Sequence, residues 1–168
     1  MTYRSIINAE ELLDMLGREK LAIVDCRHIL DDTEAGWQDY LQSHIPGAYY
    51  AHLERDLSGE IILGKTGRHP MPEMEMFAKK CGQWGIDKQT QVVVYDQGSG
   101  GIAARLWFLL KWAGHENVAV LNGGWNFWQK MSFPVSAIIP KPSNAIFDPK
   151  EQKGWLVSAE MVGKLNFH

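Results

Sequence analysis

QVVVYDQGSGGIAARLW, residues 91–107, is the stretch from which the fold is read. Val92, Val93 and Val94 form an apolar, β-branched run without alternation, the pattern of a strand buried on both faces. Asp96 follows, then a turn with Gly98, Gly100 and Gly101, then an apolar helical segment from about Ile102. Strand, tight glycine turn and helix N-terminus together make an anion-binding geometry, because unpaired backbone N–H groups and the helix dipole converge on the turn. The chemistry of such a fold is expected at that turn. The residue at its mouth is an aspartate.

Upstream, Asn8 with Glu11 three residues later resembles a capping box opening a helix over residues 9–17, with Leu12, Leu13 and Leu16 as its apolar side. Leu21, Ala22, Ile23 and Val24 read as a short buried strand ending at Asp25. A polar stretch leads into a short helix over 37–42, and Ile45, Pro46, Gly47 and Ala48 turn into a strand around Tyr49 and Tyr50. Residues 55–72 lack periodicity and read as a long surface loop, a length that is often functional. A helix over 73–84 follows, with Met76, Phe77, Cys81 and the stem of Lys80 on its inner side and Gly85 ending it.

Downstream, a strand over 118–121 precedes a Gly123–Gly124 turn and a helix carrying Trp125 and Trp128 on one face. Strands alternating with helices predict an α/β fold, a central mainly parallel sheet covered on both faces. This domain is expected to span 1–134. Pro134, Pro140, Pro142 and Pro149 mark an extended inter-domain linker over 135–154. Residues 155–168 restart a helix with Ser158 as N-cap, echoing residues 8–12, and are expected to be the truncated start of a second domain of the same type.

With 168 residues, 45% apolar and 22% charged, the chain has enough material for one core. The net charge of −3 argues against nucleic acid and anionic membranes as partners. No apolar run approaches a membrane span, and the first residues lack a signal-peptide core. Cys26 and Cys81, far apart, suggest free thiols in a reducing compartment, so the cytoplasm is expected. No close cluster of ligand types implies a metal, and no organic cofactor is expected.

Several pieces occur together in one order: IVDCR at 23–27, HIPGA at 44–48, GRHPMP at 67–72, VVYD at 93–96, Gly114-His115, and VLNGGW at 120–125. On these pieces the chain resembles the N-terminal domain of two-domain rhodanese-type sulfurtransferases, the thiosulfate and 3-mercaptopyruvate sulfurtransferases, over residues 5–150. The resemblance implies a rhodanese-like fold and an active partner domain with a cysteine at the strand end. That thiolate takes a sulfane sulfur from a donor, becomes a persulfide cradled by backbone N–H groups, and passes the sulfur to cyanide or a thiol. Asp96, with Gln97, Gly98, Ser99, Gly100 and Gly101 as the loop equivalent, departs from the active pattern as silent first domains do.

Persulfide chemistry needs a polarisable sulfur activated as thiolate. A carboxylate has no route to a persulfide, so Asp96 is read as satisfying the turn from within, and no catalytic residue is assigned to the chain itself. The resemblance to the mercaptopyruvate branch implies that an acid–histidine pair, here Glu54 and His69, reaches the partner domain's site. A solvated loop histidine is the alternative. Arg68 is a candidate contact for an anionic donor or for a carboxylate across the domain boundary. Arg105 is expected to face the partner domain or fold back on Asp96, with a surface ion pair as the plainer alternative. Cys26 is expected at the same end of the sheet, either as a buried inert thiol or as an alternative sulfur carrier. Cys81 is expected in the core. A phosphatase of related fold would need a cysteine where Asp96 stands, and GSGG lacks the full nucleotide-binding patterns, leaving an anion- or partner-binding module as the remaining alternative.

Overall fold

The computed structural model describes residues 2–164. Its elements run β1 (Ile6–Ile7), α1 (Ala9–Leu13), β2 (Leu21–Asp25), α2 (Ala35–Gln42), β3 (Ala48–Tyr50), α3 (Met74–Gln83), β4 (Gln91–Tyr95), α4 (Gly101–Trp112), β5 (Val118–Leu121), α5 (Gly124–Lys130) and α6 (Ala159–Gly163). The sheet has the order β1-β5-β4-β2-β3. Every strand pairing among the described residues is parallel, with Val24 opposite Val94 and Val94 opposite Val120 in the central register. Parallel neighbours need crossover connections, and the intervening helices supply them.

Alternation along the strands sorts side chains into two layers. Ala22, Val24, Val92 and Val94 pack with Phe77, Cys81, Leu106 and Leu109 of α3 and α4. Ile23, Val93 and Tyr95 pack with Leu12 of α1 and with Trp125 and Trp128 of α5. Both faces are therefore dry, and all five β4 residues are buried. Each such valine contributes roughly 1.5–3 kcal/mol relative to exposure. Because all strands run the same way, the segments following β2, β3 and β4 gather along one edge, which positions the site.

Some boundaries differ from the sequence reading. β1 has no counterpart in it: two residues carry no period, and they become a strand only by pairing with Val120 and Leu121. The first helix is regular only to Leu13, and turns carry the chain on to Gly17. Met76, expected on the inner side of α3, is 66% exposed, because Phe77, Ala78 and Cys81 take the face toward the sheet. The 55–72 loop holds no helix or strand, yet Leu57 is fully buried while Leu63 is exposed, so the loop is pinned at its start and free at its tip.

The proline-rich segment lies along the body. The Trp128 indole N–H donates to the Pro134 carbonyl. His44 and Ser136 exchange backbone hydrogen bonds. Ser143 N–H donates to Gln83, Lys150 N–H to Ala113 and Gln152 N–H to Trp112, and Phe147 packs on the α3–α4 layer. Gly82 is where this strap presses closest, since a Cβ there would stand 2.5 Å from the Ala145 carbonyl oxygen. Gly82→Ala is therefore expected to lift the strap while leaving the sheet intact. Tryptic cleavage after Lys150 should become about tenfold faster, the signature of a lowered local opening energy. Farther on, Ser158 Oγ accepts from Met161 N–H at 3.1 Å and caps α6, with the same φ of −79° and ψ of 158° as Asn8 before α1. Residues 165–168 of the expected second-domain start lie outside the described residues.

Candidate functional site

The turn after β4 is closed by its own aspartate. Asp96 Oδ1 accepts from Gly98 N–H and Gly100 N–H, both at 2.9 Å, and Oδ2 accepts from Ile102 N–H at 3.0 Å and Ala103 N–H at 3.2 Å. Four donors, two from the turn and two from the first turn of α4, thus converge on one buried carboxylate. Helix N-termini leave such N–H groups unpaired, and the positive end of the helix dipole favours an anion there. Glycine is required where the turn reverses: Gly100 has a φ of 79°, which a side chain adopts only with strain. Gln97 reaches across to Asn126 and Ser99 Oγ accepts from Gly101 N–H, so neither side chain joins the cradle. The outer side of the turn lines an open cleft of about 470 Å³ with Ile6, Val120 and Asn122. The cradle's donors face the other way, onto Asp96.

Beneath the turn, α5 and β2 hold its base. Asp96 and Gln97 carbonyls accept from Trp125 and Asn126 N–H. Gly124 lies so close that a Cβ would meet the Asp96 carbonyl oxygen at 2.6 Å. Asp25, fully buried, accepts from the Arg27 Nε and from the Tyr95 hydroxyl at 2.7 Å. The Arg27 guanidinium lies 4.5 Å above the Trp125 ring and donates to the Ser43 carbonyl. This charged pair joins β2, β4, α5 and the turn before β3.

Arg105 does not fold back on Asp96 and makes no ion pair among the described residues. Its guanidinium donates to the carbonyls of Leu57, His69 and Pro70 at 2.8–3.0 Å. The two carboxylate readings of Arg105 give way because backbone carbonyls, which carry no signature in side-chain pattern, outcompete carboxylates for this half-buried cation. The consequence is a tie between α4 and the long loop. His69 is held there with its Nε2 3.9 Å from Glu54 Oε1, near enough for charge attraction but not for a hydrogen bond. Burial and the neighbouring Arg105 and Arg68 hold the His69 imidazole below its ordinary pKa, while Glu54 pulls it back up. Arg68 donates to the Leu30 carbonyl at 2.7 Å, on the loop after β2.

Two histidines not singled out in the sequence complete this corner. His28 follows β2 and His52 follows β3, and their rings meet edge-on at 5.7 Å. Burial, with His52 next, lowers the His28 pKa. The available signal was positional: in a parallel sheet, residues just past adjacent strand ends are brought to one edge. The cysteines are elsewhere in character. Cys26 and Cys81 are fully buried, and burial pushes both thiols well above the ordinary range, so neither presents a thiolate. Among the described residues no group of three or more His, Cys, Asp or Glu is arranged to hold a metal ion, and no helix is long and apolar enough to cross a membrane.

A family model for the rhodanese-like domain matches residues 8–131. A probable 3-mercaptopyruvate sulfurtransferase of Pseudomonas aeruginosa is 42% identical over 130 residues, covering 77% of this chain and 46% of that protein. The thiosulfate sulfurtransferase of Bos taurus is 31% identical over 170 residues, covering 95% of this chain and 54% of that protein. The chain thus spans about half the length of the curated relatives it matches. Among solved structures, SseA from Escherichia coli, described as a 3-mercaptopyruvate sulfotransferase of the rhodanese fold, superposes with a TM-score of 0.82 at 26% identity, covering 95% of this chain and 60% of that one. A five-stranded parallel sheet with a backbone-lined anion cradle after its central strand, matched along its length to these proteins, belongs to the rhodanese-like domain family, and its relatives there are sulfurtransferases.

Proposed function

We propose that this chain is the non-catalytic rhodanese domain of a two-domain sulfurtransferase that moves sulfane sulfur from thiosulfate or 3-mercaptopyruvate to cyanide or a thiol. In this reading it buttresses a second rhodanese domain in the same polypeptide, which carries the cysteine. The chain supplies Glu54, His69 and Arg68 to the rim of that domain's cleft. The observation that carries the proposal is the Asp96 carboxylate accepting four backbone N–H groups where a persulfide would otherwise sit. The relatives' names and their doubled length support it. Two free buried thiols fit a reducing compartment such as the cytoplasm.

In the proposed assembly each residue has a definite task. His69, held neutral by burial and its arginine neighbours, takes a proton at Nε2, and Glu54 stabilises the imidazolium that forms. Arg68, on the same loop, offers its remaining guanidinium N–H groups to the donor's anionic end. Arg105 fixes the loop that carries both.

The chain alone is expected to produce no thiocyanate from thiosulfate and cyanide, and no sulfur adduct by intact mass. Turnover that persists after both cysteines are replaced would sink the scaffold reading. A persulfide lost specifically in Cys26→Ser would replace it with a Cys26 enzyme, a route that the burial of that thiol opposes.

A further inference from the structure

We infer that His52 is a positioning residue: its ring caps the one-turn segment that presents Glu54 to His69, and Glu34 locks that ring from outside. This rests on the reading of Glu54 and His69 as a working pair.

After β3 the chain makes a single helical turn, with Asp56 N–H and Leu57 N–H donating to the His52 carbonyl. The start of such a turn leaves N–H groups without intrachain partners, and Asn, Asp, Ser or Thr ordinarily accept from them. Here His52 does so. Its Nδ1 accepts from Glu54 N–H at 3.2 Å and Arg55 N–H at 3.3 Å, and its own N–H donates to Asp56 Oδ2 at 2.8 Å. Asp56 is held in turn by Lys80 at 2.8 Å, which ties the segment to α3.

These bonds fix the ring's chemistry. An Nδ1 that accepts two N–H groups carries no proton, so the neutral ring is protonated at Nε2. That Nε2 points toward Glu34 Oε1 at 3.3 Å, an ion-pair distance without straight hydrogen-bond geometry. Arg55 clasps the same Glu34 oxygen at 2.6 Å, so the residue whose backbone His52 caps returns to hold the group that orients His52. The ring is 2% exposed, with His28 edge-on at 5.7 Å and Tyr50 at 6.4 Å preventing its rotation. Glu54 Cα therefore has one position, set by the cap on its own N–H, and its carboxylate reaches His69 from there. The groups acting electrostatically on His69 are Arg105 of α4, Arg68 beside it, Glu54 of the capped turn and, from the segment after β2, His28.

The test is the titration of the His69 ring in the full chain, followed by NMR at the imidazole Cε1–H. Glu54 raises the affinity of this ring for a proton, so Glu54→Gln lowers the His69 midpoint and calibrates the coupling. His52→Leu, which removes the cap acceptor, is expected to lower it by about half a pH unit in the same direction. His52→Asn, whose Oδ1 can accept the same N–H groups, is expected to keep the wild-type midpoint. A His52→Leu chain that is folded and titrates like wild type, in a series where Glu54→Gln does shift His69, overturns the positioning role and leaves the pair itself standing. An unmoved His69 in Glu54→Gln overturns the pair, and the positioning role with it. Should His52→Leu fail to fold, Glu34→Gln on its half-exposed side chain supplies the same readout. A downward shift there supports the lock, and no shift overturns it.

Discussion

Asp96→Cys is expected to become sulfur-loaded when treated with thiosulfate, giving near-stoichiometric gain of one sulfur atom by intact mass where the wild-type chain gains none. The expectation follows from what the cradle already does. Gly98, Gly100, Ile102 and Ala103 N–H groups stabilise a full negative charge at the end of a short side chain. A cysteine thiolate at a helix N-terminus has its pKa lowered to about 3.5–7.5 by the same donors. The thiolate would attack the outer sulfur of thiosulfate; the sulfur–sulfur bond breaks, sulfite leaves with the electron pair, and a persulfide anion remains where the carboxylate oxygens were. Cyanide should then remove the outer sulfur as thiocyanate and restore the thiolate. Peptide mapping must place the adduct at position 96, since Cys26 and Cys81 are fully buried. The cost should be about 2–3 kcal/mol of stability at pH values where the thiol is protonated, because a thiol accepts N–H groups poorly. Asp96→Ala should pay a similar cost and gain no sulfur. A folded Asp96→Cys chain that stays unloaded would show that the silence lies in access or donor binding, not in the missing sulfur atom.

The valine run, the glycine turn and Asp96 were readable because burial on both faces and a φ of 79° at Gly100 each demand particular residue types. The helix positions of Trp125 and Trp128 were readable for the same reason: a 3.6-residue period marks the buried face, and both are buried. Arg105 was not, because its partners are the carbonyls of Leu57, His69 and Pro70, and any residue offers a carbonyl. His28 and His52 were not, because their meeting depends on β2 and β3 being neighbours, a pairing across residues 23–50 that no local pattern encodes. Residues 135–154 read as a linker from their prolines. Extended chain without period looks the same whether it is free or docked, and the docking shows in the close approach at Gly82 and in backbone bonds such as those to His44, Gln83, Ala113 and Trp112.

Arg27→Leu is expected to cost about 3–5 kcal/mol, because it strands the buried Asp25 carboxylate without the cation that pairs with it. Asp25 and Arg27 are 0% and 3% exposed, with Nη2 2.8 Å from Oδ2 and Nε within 3.1 Å of both carboxylate oxygens. Removing the guanidinium also frees the Ser43 carbonyl and uncovers the Trp125 ring. For a chain of this length such a loss lowers Tm by about 10 °C. The pH dependence identifies the cause. Burial pushes the Asp25 carboxyl above its ordinary value of 3.8, against the pull of Arg27 and the Tyr95 hydroxyl. A carboxyl whose proton is held more tightly in the folded state favours that state in acid, and the advantage is lost as pH rises through the unfolded and then the folded value. Without Arg27 the folded value climbs further, so the deficit should be smallest in acid and reach full size near neutrality. Asp25→Asn added to Arg27→Leu should recover part of the loss, because an amide can be buried without a counter-charge and still accept from Tyr95. Urea denaturation at two pH values measures both effects. A deficit independent of pH, with the two substitutions simply additive, would mean that the loss comes from packing around Trp125 rather than from an unpaired charge.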